Sequence, residues 1–522
     1  MATTITTNAT DYRVPSSPAS SGIVEESVVK SGAKAHLEKK YGLITAICLV
    51  VGAVIGSGIF FMNETIFNVT GGRLYLAVIA WLIGGAIMFV MMWTWGQLAR
   101  HKHGMNGLMD FSDQLVGRRF SYYLTWFLGT ILYPSFVAVL AWVTARFTAI
   151  LFGWSQPNTS GPVWMLAGVY LIGLYAVNVL SPRLAGKIQI STTIIKVIPL
   201  LLMGIVGLIV GLANGNVAEN MQYVRDPAAI AGNPLYLAIL ATVFAYAGSE
   251  EVLMMNSEIR DSKRNLPRAI VIGSLLIIAI YVIYTIGVFG STGVDSLREA
   301  GGIRLAFENL FGNAFGTALI VFIIISCLGA MNSAMMAGSR SFYSLAIRGM
   351  GPRPDYTRVV DAKTDMPGTS SVISLIFCGL MMLLIFANAQ DYPYHIRWFG
   401  NVSIPITSLT PITLMSFYIP IFIQVMRKER GWNFFNRFVM PALAIAGALL
   451  LIYMVFDTNP VGMAIYLGIF AFIMFLGWLF NHLNRARRMA DNGYLAGDDF
   501  YGQNLELTDL PVDEVPALIR EG

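Results

Sequence analysis

The sequence predicts an all-α polytopic membrane protein of about twelve spans, with the first and the sixth broken near their middles. Three observations carry this. Hydrophobic residues make up 56% of the 522 positions, charged residues only 12%, and mean hydropathy is +0.63; together these outweigh the multidomain soluble architecture such a length would otherwise suggest. Apolar runs of roughly 20 residues, enough to cross a ~30 Å hydrocarbon core, recur along the chain. Two of those runs carry Gly and polar residues at their centres, Gly56-Ser57-Gly58 in the first and Gly248-Ser249-Glu250 in the sixth.

Taken in order, residues 1–40 are polar and rich in Ser and Thr, and they end in Lys30, Lys34, Lys39 and Lys40. They are expected to form a disordered cytoplasmic tail without a cleavable signal peptide. Apolar spans are then expected at 43–68, 74–99, 120–152, 162–180, 188–213, 234–257, 267–290, 313–347, 369–388, 397–425, 436–456 and 461–482. The third and eighth exceed a straight crossing and require tilt or a cytoplasmic extension. The last stretch, 487–522, turns acidic and is expected to be a solvated cytoplasmic tail.

Lys and Arg in the loops set the orientation. Placing the N-terminus inside puts Arg100, Lys102, Arg118 and Arg119, then Arg183 and Lys187, Arg260, Lys263 and Arg264, Arg348 and Arg353, and Arg427, Lys428 and Arg430 on the cytoplasmic side. The 153–161 loop has no charge, and 291–312 balances Arg298 and Arg304 against Asp295, Glu299 and Glu308. Both termini are therefore expected inside a cell membrane, and the net charge of +5 reads as orientation rather than nucleic-acid binding. The three cysteines, Cys48, Cys327 and Cys378, lie inside apolar runs and read as small core residues.

The breaks carry the chemistry. Lipid supplies no partner for a freed backbone N–H or C=O, so a helix interrupted at mid-membrane must face protein or a polar cavity. A carboxylate at bilayer centre costs roughly 2.5–3.5 kcal/mol, so Glu250 also needs a cavity or partner; in the first turn of a half-helix the dipole favours it. The interrupted spans each open a set of five. Because five is odd, the second set starts from the opposite face, which makes an inverted repeat over about 41–213 and 234–425, followed by two more spans at 426–486. Interrupted segments at corresponding positions of two inverted halves point to a midplane substrate site.

These residues resemble the amino acid–polyamine–organocation superfamily of transporters, with its LeuT-type five-plus-five inverted repeat. Gly56-Ser57-Gly58-Ile59-Phe60 is similar to its first-helix signature, and Phe244-Ala245-Tyr246-Ala247-Gly248 with Arg264-Asn265-Leu266-Pro267-Arg268 to its sixth-helix and inner-loop signature. Ser326-Cys327-Leu328-Gly329-Ala330-Met331-Asn332 resembles the L-type amino acid transporter branch. The resemblance implies that N–H groups at Ser57, Gly58 and Ile59, beside Gly56 in the same substrate site, bind a substrate carboxylate, in keeping with the dipole of a half-helix start. It implies that carbonyls of Val54, Ile55, Phe244, Ala245 and Ala247, beside Gly248, hold an ammonium, with Phe244 as an aromatic gate.

The same resemblance assigns coupling or gating to Lys196, Glu250, Tyr246 and Asn332. Lys196 corresponds to a lysine that occupies the sodium site of related carriers, so sodium dependence is not expected; it either stands in for the cation or carries a proton. Snorkelling of Lys196 to the cytoplasm is the plain alternative. Glu250 falls where the L-type branch tends to have an amide, Ser249 falls where an aromatic is common, and Glu251 has no counterpart. The expected function is sodium-independent secondary transport of an amino acid or amine by alternating access, as exchanger or proton symporter. Spans one, two, six and seven are expected to rock against three, four, eight and nine. An antiporter of the glutamate/GABA or decarboxylase-linked type and a channel are the alternatives. His101-Lys102-His103 sits in a basic loop without further metal ligands, and no P-loop, catalytic triad or HExxH is present; no enzyme activity, cofactor or metal is expected.

Overall fold

The computed structural model describes residues 42–56, 58–101, 107–157, 160–223, 232–248, 253, 259–294, 302–360, 367–388 and 404–492. Its elements are helices: α1 (Leu43–Val54), α2 (Gly58–Val69), α3 (Leu74–His101), α4 (Leu108–Leu115), α5 (Arg118–Leu151), α6 (Gly161–Leu180), α7 (Pro182–Ala213), α8 (Asn216–Gln222), α9 (Pro234–Tyr246) and α10 (Ser262–Gly290). They continue with α11 (Gly302–Phe311), α12 (Asn313–Ile347), α13 (Pro354–Thr357), α14 (Gly368–Asn388), α15 (Ile406–Lys428), α16 (Phe435–Thr458) and α17 (Pro460–Asn492). Among the described residues 10 helices are long and apolar enough to cross a membrane, and two further apolar helices, Leu43–Gly52 and Pro234–Tyr246, are shorter. Those two belong to the first and sixth expected spans.

Several boundaries differ from the sequence expectation. The fifth span was expected from 188, but α7 begins at Pro182, whose fixed φ and missing N–H suit a helix's first turn. In the tenth, α15 begins at Ile406, with Pro405 at its N-cap. The last helix runs on to Asn492, past the expected boundary at 487. In the sixth, α9 ends at Tyr246, eleven residues before the expected 257. Within α5 the turn Leu128–Leu132 is a π-helix, and Tyr133-Pro134 follows it; Phe435–Val439 is likewise π and precedes Met440-Pro441. A proline cannot donate to the preceding turn, and a wider turn accommodates that missing bond.

Packing divides the helices into two units. One contains α1, α2, α3, α9 and α10, with α10 laid along α3 and α1, and α2 along α9. The other contains α5, α6, α12 and α14, centred on the α5–α12 contact. α7 touches both α10 and α12, and so stands between the units. The apolar window of α5 is 94% buried, against 22% for that of α17, so α5 is the core of its unit and α17 lies at the periphery. α17 docks through Gly477: Tyr122 Oη donates to its carbonyl at 2.6 Å, and a Cβ there would come within 2.7 Å of the Trp126 ring.

At one end of the molecule α4 links α12 to α15. Its Asp110 pairs with Arg348 at the end of α12, and Lys428 Nζ donates to the Leu115 carbonyl at 2.7 Å, a cation at the negative end of the helix dipole. This eight-residue helix is too short to register as a span in the sequence.

The α7–α10 contact depends on glycine. A Cβ on Gly207 would lie 2.5 Å from the Gly287 carbonyl oxygen, and one on Gly287 would lie 2.5 Å from that of Met203. Small residues at such crossings let backbones approach closely. Gly207→Val is expected to destabilise the protein by roughly 1–3 kcal/mol through overpacking, read as a lowered midpoint in thermal unfolding of the purified protein in detergent. An unchanged midpoint would show that the α7–α10 contact is not rigid.

Candidate functional site

The site begins where α1 ends. Ile55 leaves the helix at ψ 94°, and its N–H still donates to Val51 O at 2.8 Å. Beyond Val51, the carbonyls of the last turn lose their in-helix donors. The structure supplies replacements from other helices. Lys196 on α7, 3% exposed, donates from Nζ to Gly52 O at 2.5 Å. The Tyr281 hydroxyl on α10 lies 3.2 Å from Val54 O and 3.0 Å from Ala245 O. One phenolic proton thus serves two carbonyls and ties the end of α1 to the end of α9. The Lys196 amine and the Tyr281 hydroxyl both donate at the negative pole of α1.

α9 stops at Tyr246 in a similar way. Ala247 turns to ψ 160°, with its N–H on Phe244 O at 3.3 Å, and Gly248 adopts φ +96°, a conformation that costs glycine no steric penalty. α2 starts opposite this end. A Cβ on Gly58 would stand 3.0 Å from Ala245 Cα and 3.5 Å from the Phe244 ring, so the start of α2 is pressed against the last turn of α9. Gly56 closes the other side, where a Cβ would meet Ala330 of α12 at 3.6 Å. The N–H groups that open α2 therefore lie beside the carbonyls that close α1 and α9. Donors and acceptors arranged in this way complement a group carrying both an anion and a cation.

Of the residues singled out in the sequence, Val54, Ile55, Gly56, Gly58, Ile59, Phe244, Ala245, Ala247 and Gly248 all lie at these helix ends. Ser57 and Glu250 lie outside the described residues, as do Ser249 and Glu251. Phe244 is buried between Phe61 of α2 and Phe136 of α5, with ring centroids 5.5 and 5.2 Å away. Tyr246 turns away from the break: its hydroxyl donates to Trp81 O at 2.9 Å, and its ring packs on Trp81 and Tyr281. Asn332 is fully buried on α12 and accepts from Asn178 Nδ2 of α6 at 2.8 Å, inside the second unit.

Sequence reasoning passed over Tyr281 and Asn63. Asn63 Oδ1 accepts from Trp81 Nε1 at 3.3 Å and from Thr285 Oγ1 at 3.0 Å, which anchors α2 to α3 and α10. The available signal was the spacing of Tyr281, Tyr284 and Thr285, which places polar groups on one face of an otherwise apolar helix.

Residues 41–480 match the amino acid permease family. The chain is 25% identical over 452 residues to the serine/threonine exchanger SteT of Bacillus subtilis, covering 84% of this chain and 97% of that one. It is 27% identical over 383 residues to the mouse large neutral amino acids transporter small subunit 2, covering 72% and 70% respectively. It is 22% identical over 359 residues to the cystine/glutamate transporter of Pongo abelii, covering 69% and 70%.

Two substitutions test the site. Gly58→Val is expected to leave the protein expressed but to remove thermal stabilisation by zwitterionic ligands; stabilisation equal to that of the parent would dissociate α2's start from binding. Lys196→Ala is expected to cost about 1–3 kcal/mol, because the Gly52 carbonyl is left buried without its donor. Thermal unfolding without ligand reads that loss, and no change would mean that another group caps α1.

Proposed function

This chain belongs to the amino acid permease family, and we propose that it exchanges amino acids across a membrane by alternating access, without sodium. The family is one of transporters and not of enzymes, its relatives are amino acid carriers, and the chain is a multi-pass membrane protein.

The observation that carries it is the meeting of α2's start with the ends of α1 and α9. The substrate's carboxylate takes the N–H groups at Gly56–Ile59, and its ammonium takes the carbonyls of the Val54 and Ala245 turns. In that pose the ammonium competes with the Tyr281 hydroxyl for those carbonyls, so substrate binding changes what holds the two helix ends together. Lys196 occupies the pole of α1 with a covalently attached cation, which removes the need for a bound sodium ion. Phe244, held between Phe61 and Phe136, covers the site from the side where both units meet.

Exchange is the mode favoured by the likeness to an exchanger that spans nearly the whole of that relative. An empty site leaves the N–H groups that open α2 without an anion, so the reset is favoured with a second substrate bound.

Purified protein in liposomes decides the matter. Uptake of a labelled amino acid is expected to be faster by about ten-fold or more when the interior holds unlabelled substrate, equal in sodium and choline buffers, and indifferent to an imposed proton gradient. Equal uptake into empty and loaded liposomes would overturn exchange. Acceleration by a proton gradient that disappears in Lys196→Ala would replace it with proton symport.

A further inference from the structure

We propose that the ion pair between Glu64 and Arg146 is a latch across the outer cleft, holding α2 of one unit against α5 of the other and parting when substrate passes; this rests on the alternating-access function proposed above. Arg146 Nη2 lies 3.1 Å from Glu64 Oε1, with two longer contacts at 3.4 and 3.5 Å to Oε2, so the guanidinium fork faces the carboxylate with both nitrogens. The pair joins α2 of one unit to α5 of the other. α2 packs on α9, α3 and α11 rather than on α5, and long side chains bridge the remaining gap.

Position supports a gating role. Glu64 stands six residues beyond Gly58, about 9 Å along α2 from the start of the substrate site. Arg146 stands ten residues beyond Phe136, about 15 Å along α5 from the ring that touches Phe244. Val139 and Val143 fall between them at helical spacing on the same face of α5, and both are buried. The sequence of contacts from the site outward is therefore Phe136 on Phe244, then apolar α5 surface, then the ion pair.

The chemistry suits a latch rather than a permanent clamp. The two side chains remain 16% and 28% exposed, so water is at hand to solvate each charge as they separate. A partly hydrated ion pair adds little to global stability, yet its two arms can be exchanged without changing charge balance. An interaction that contributes little to folding but joins two mobile units acts on the equilibrium between their arrangements.

The test reports cleft opening without requiring transport. In full-length protein in nanodiscs, with Cys48, Cys327 and Cys378 replaced by Ser, Val139→Cys is labelled with a water-soluble maleimide. Glu64→Gln and Arg146→Gln are each expected to raise the labelling rate by at least about three-fold, and the charge swap Glu64→Arg with Arg146→Glu to restore it to within about two-fold of the parent. In the otherwise unaltered protein, the same swap is expected to recover the exchange rate lost by either single change. Equal labelling in the single variants and the parent, or raised labelling that the swap does not reverse, would overturn the latch. Failure of exchange in the unaltered protein would instead count against the proposed function.

Discussion

Everything at the centre of this molecule follows from a rule of low-dielectric surroundings: a backbone carbonyl that loses its helical donor must find another. When α1 stops at Val54, its last carbonyls are answered from three directions. Ile55 serves Val51 locally, Lys196 reaches in from α7 to Gly52, and Tyr281 reaches in from α10 to Val54. The helix end is thus held by two other helices, and each is placed by its own packing. The break is stable because the surrounding fold completes it.

The same arrangement leaves the site responsive. Tyr281 has one proton and two acceptors, Val54 O and Ala245 O, on two different helix ends. In the proposed pose, an ammonium arriving between them supplies more donors than the phenol does. α1, α9 and α10 belong to one packing unit, while α5 and α12 of the other meet its helix ends through Phe136 and Ala330. α7 touches both, and it carries Lys196 to the break and Gly207 to the close contact with α10. It is therefore the element through which the site and the unit boundary are mechanically joined.

Much of the fold was legible in the chain because the bilayer imposes length and hydropathy on every span. The helices expected at 313–347 and 120–152 appear as Asn313–Ile347 and Arg118–Leu151. The helix ends at Val54 and Tyr246 were legible for the opposite reason, since Gly56-Ser57-Gly58 and Gly248-Ser249-Glu250 put polar residues beside glycine inside apolar runs. What escaped was whatever lacks a hydropathy signature: the eight-residue α4, the π turns before Pro134 and Pro441, and the partners Tyr281 and Asn63. A tyrosine within an apolar helix looks the same whether it faces lipid headgroups, core or a carbonyl. Tyr246 illustrates this, for its hydroxyl belongs to Trp81 O and not to the break beside it.

By itself, the sequence determined that this is a helical membrane protein, that its first and sixth apolar runs carry glycine and polar residues at their centres, and that a lysine stands in the fifth. These are local properties, written in composition and in the placement of glycine and charge. Only the tertiary structure decided that Lys196 meets Gly52, that Gly58 abuts Ala245, that one tyrosine joins both helix ends, and that Arg146 reaches Glu64 across the units. These contacts join residues from 36 to 227 positions apart along the chain, and such pairings depend on how apolar faces pack rather than on any one segment's pattern.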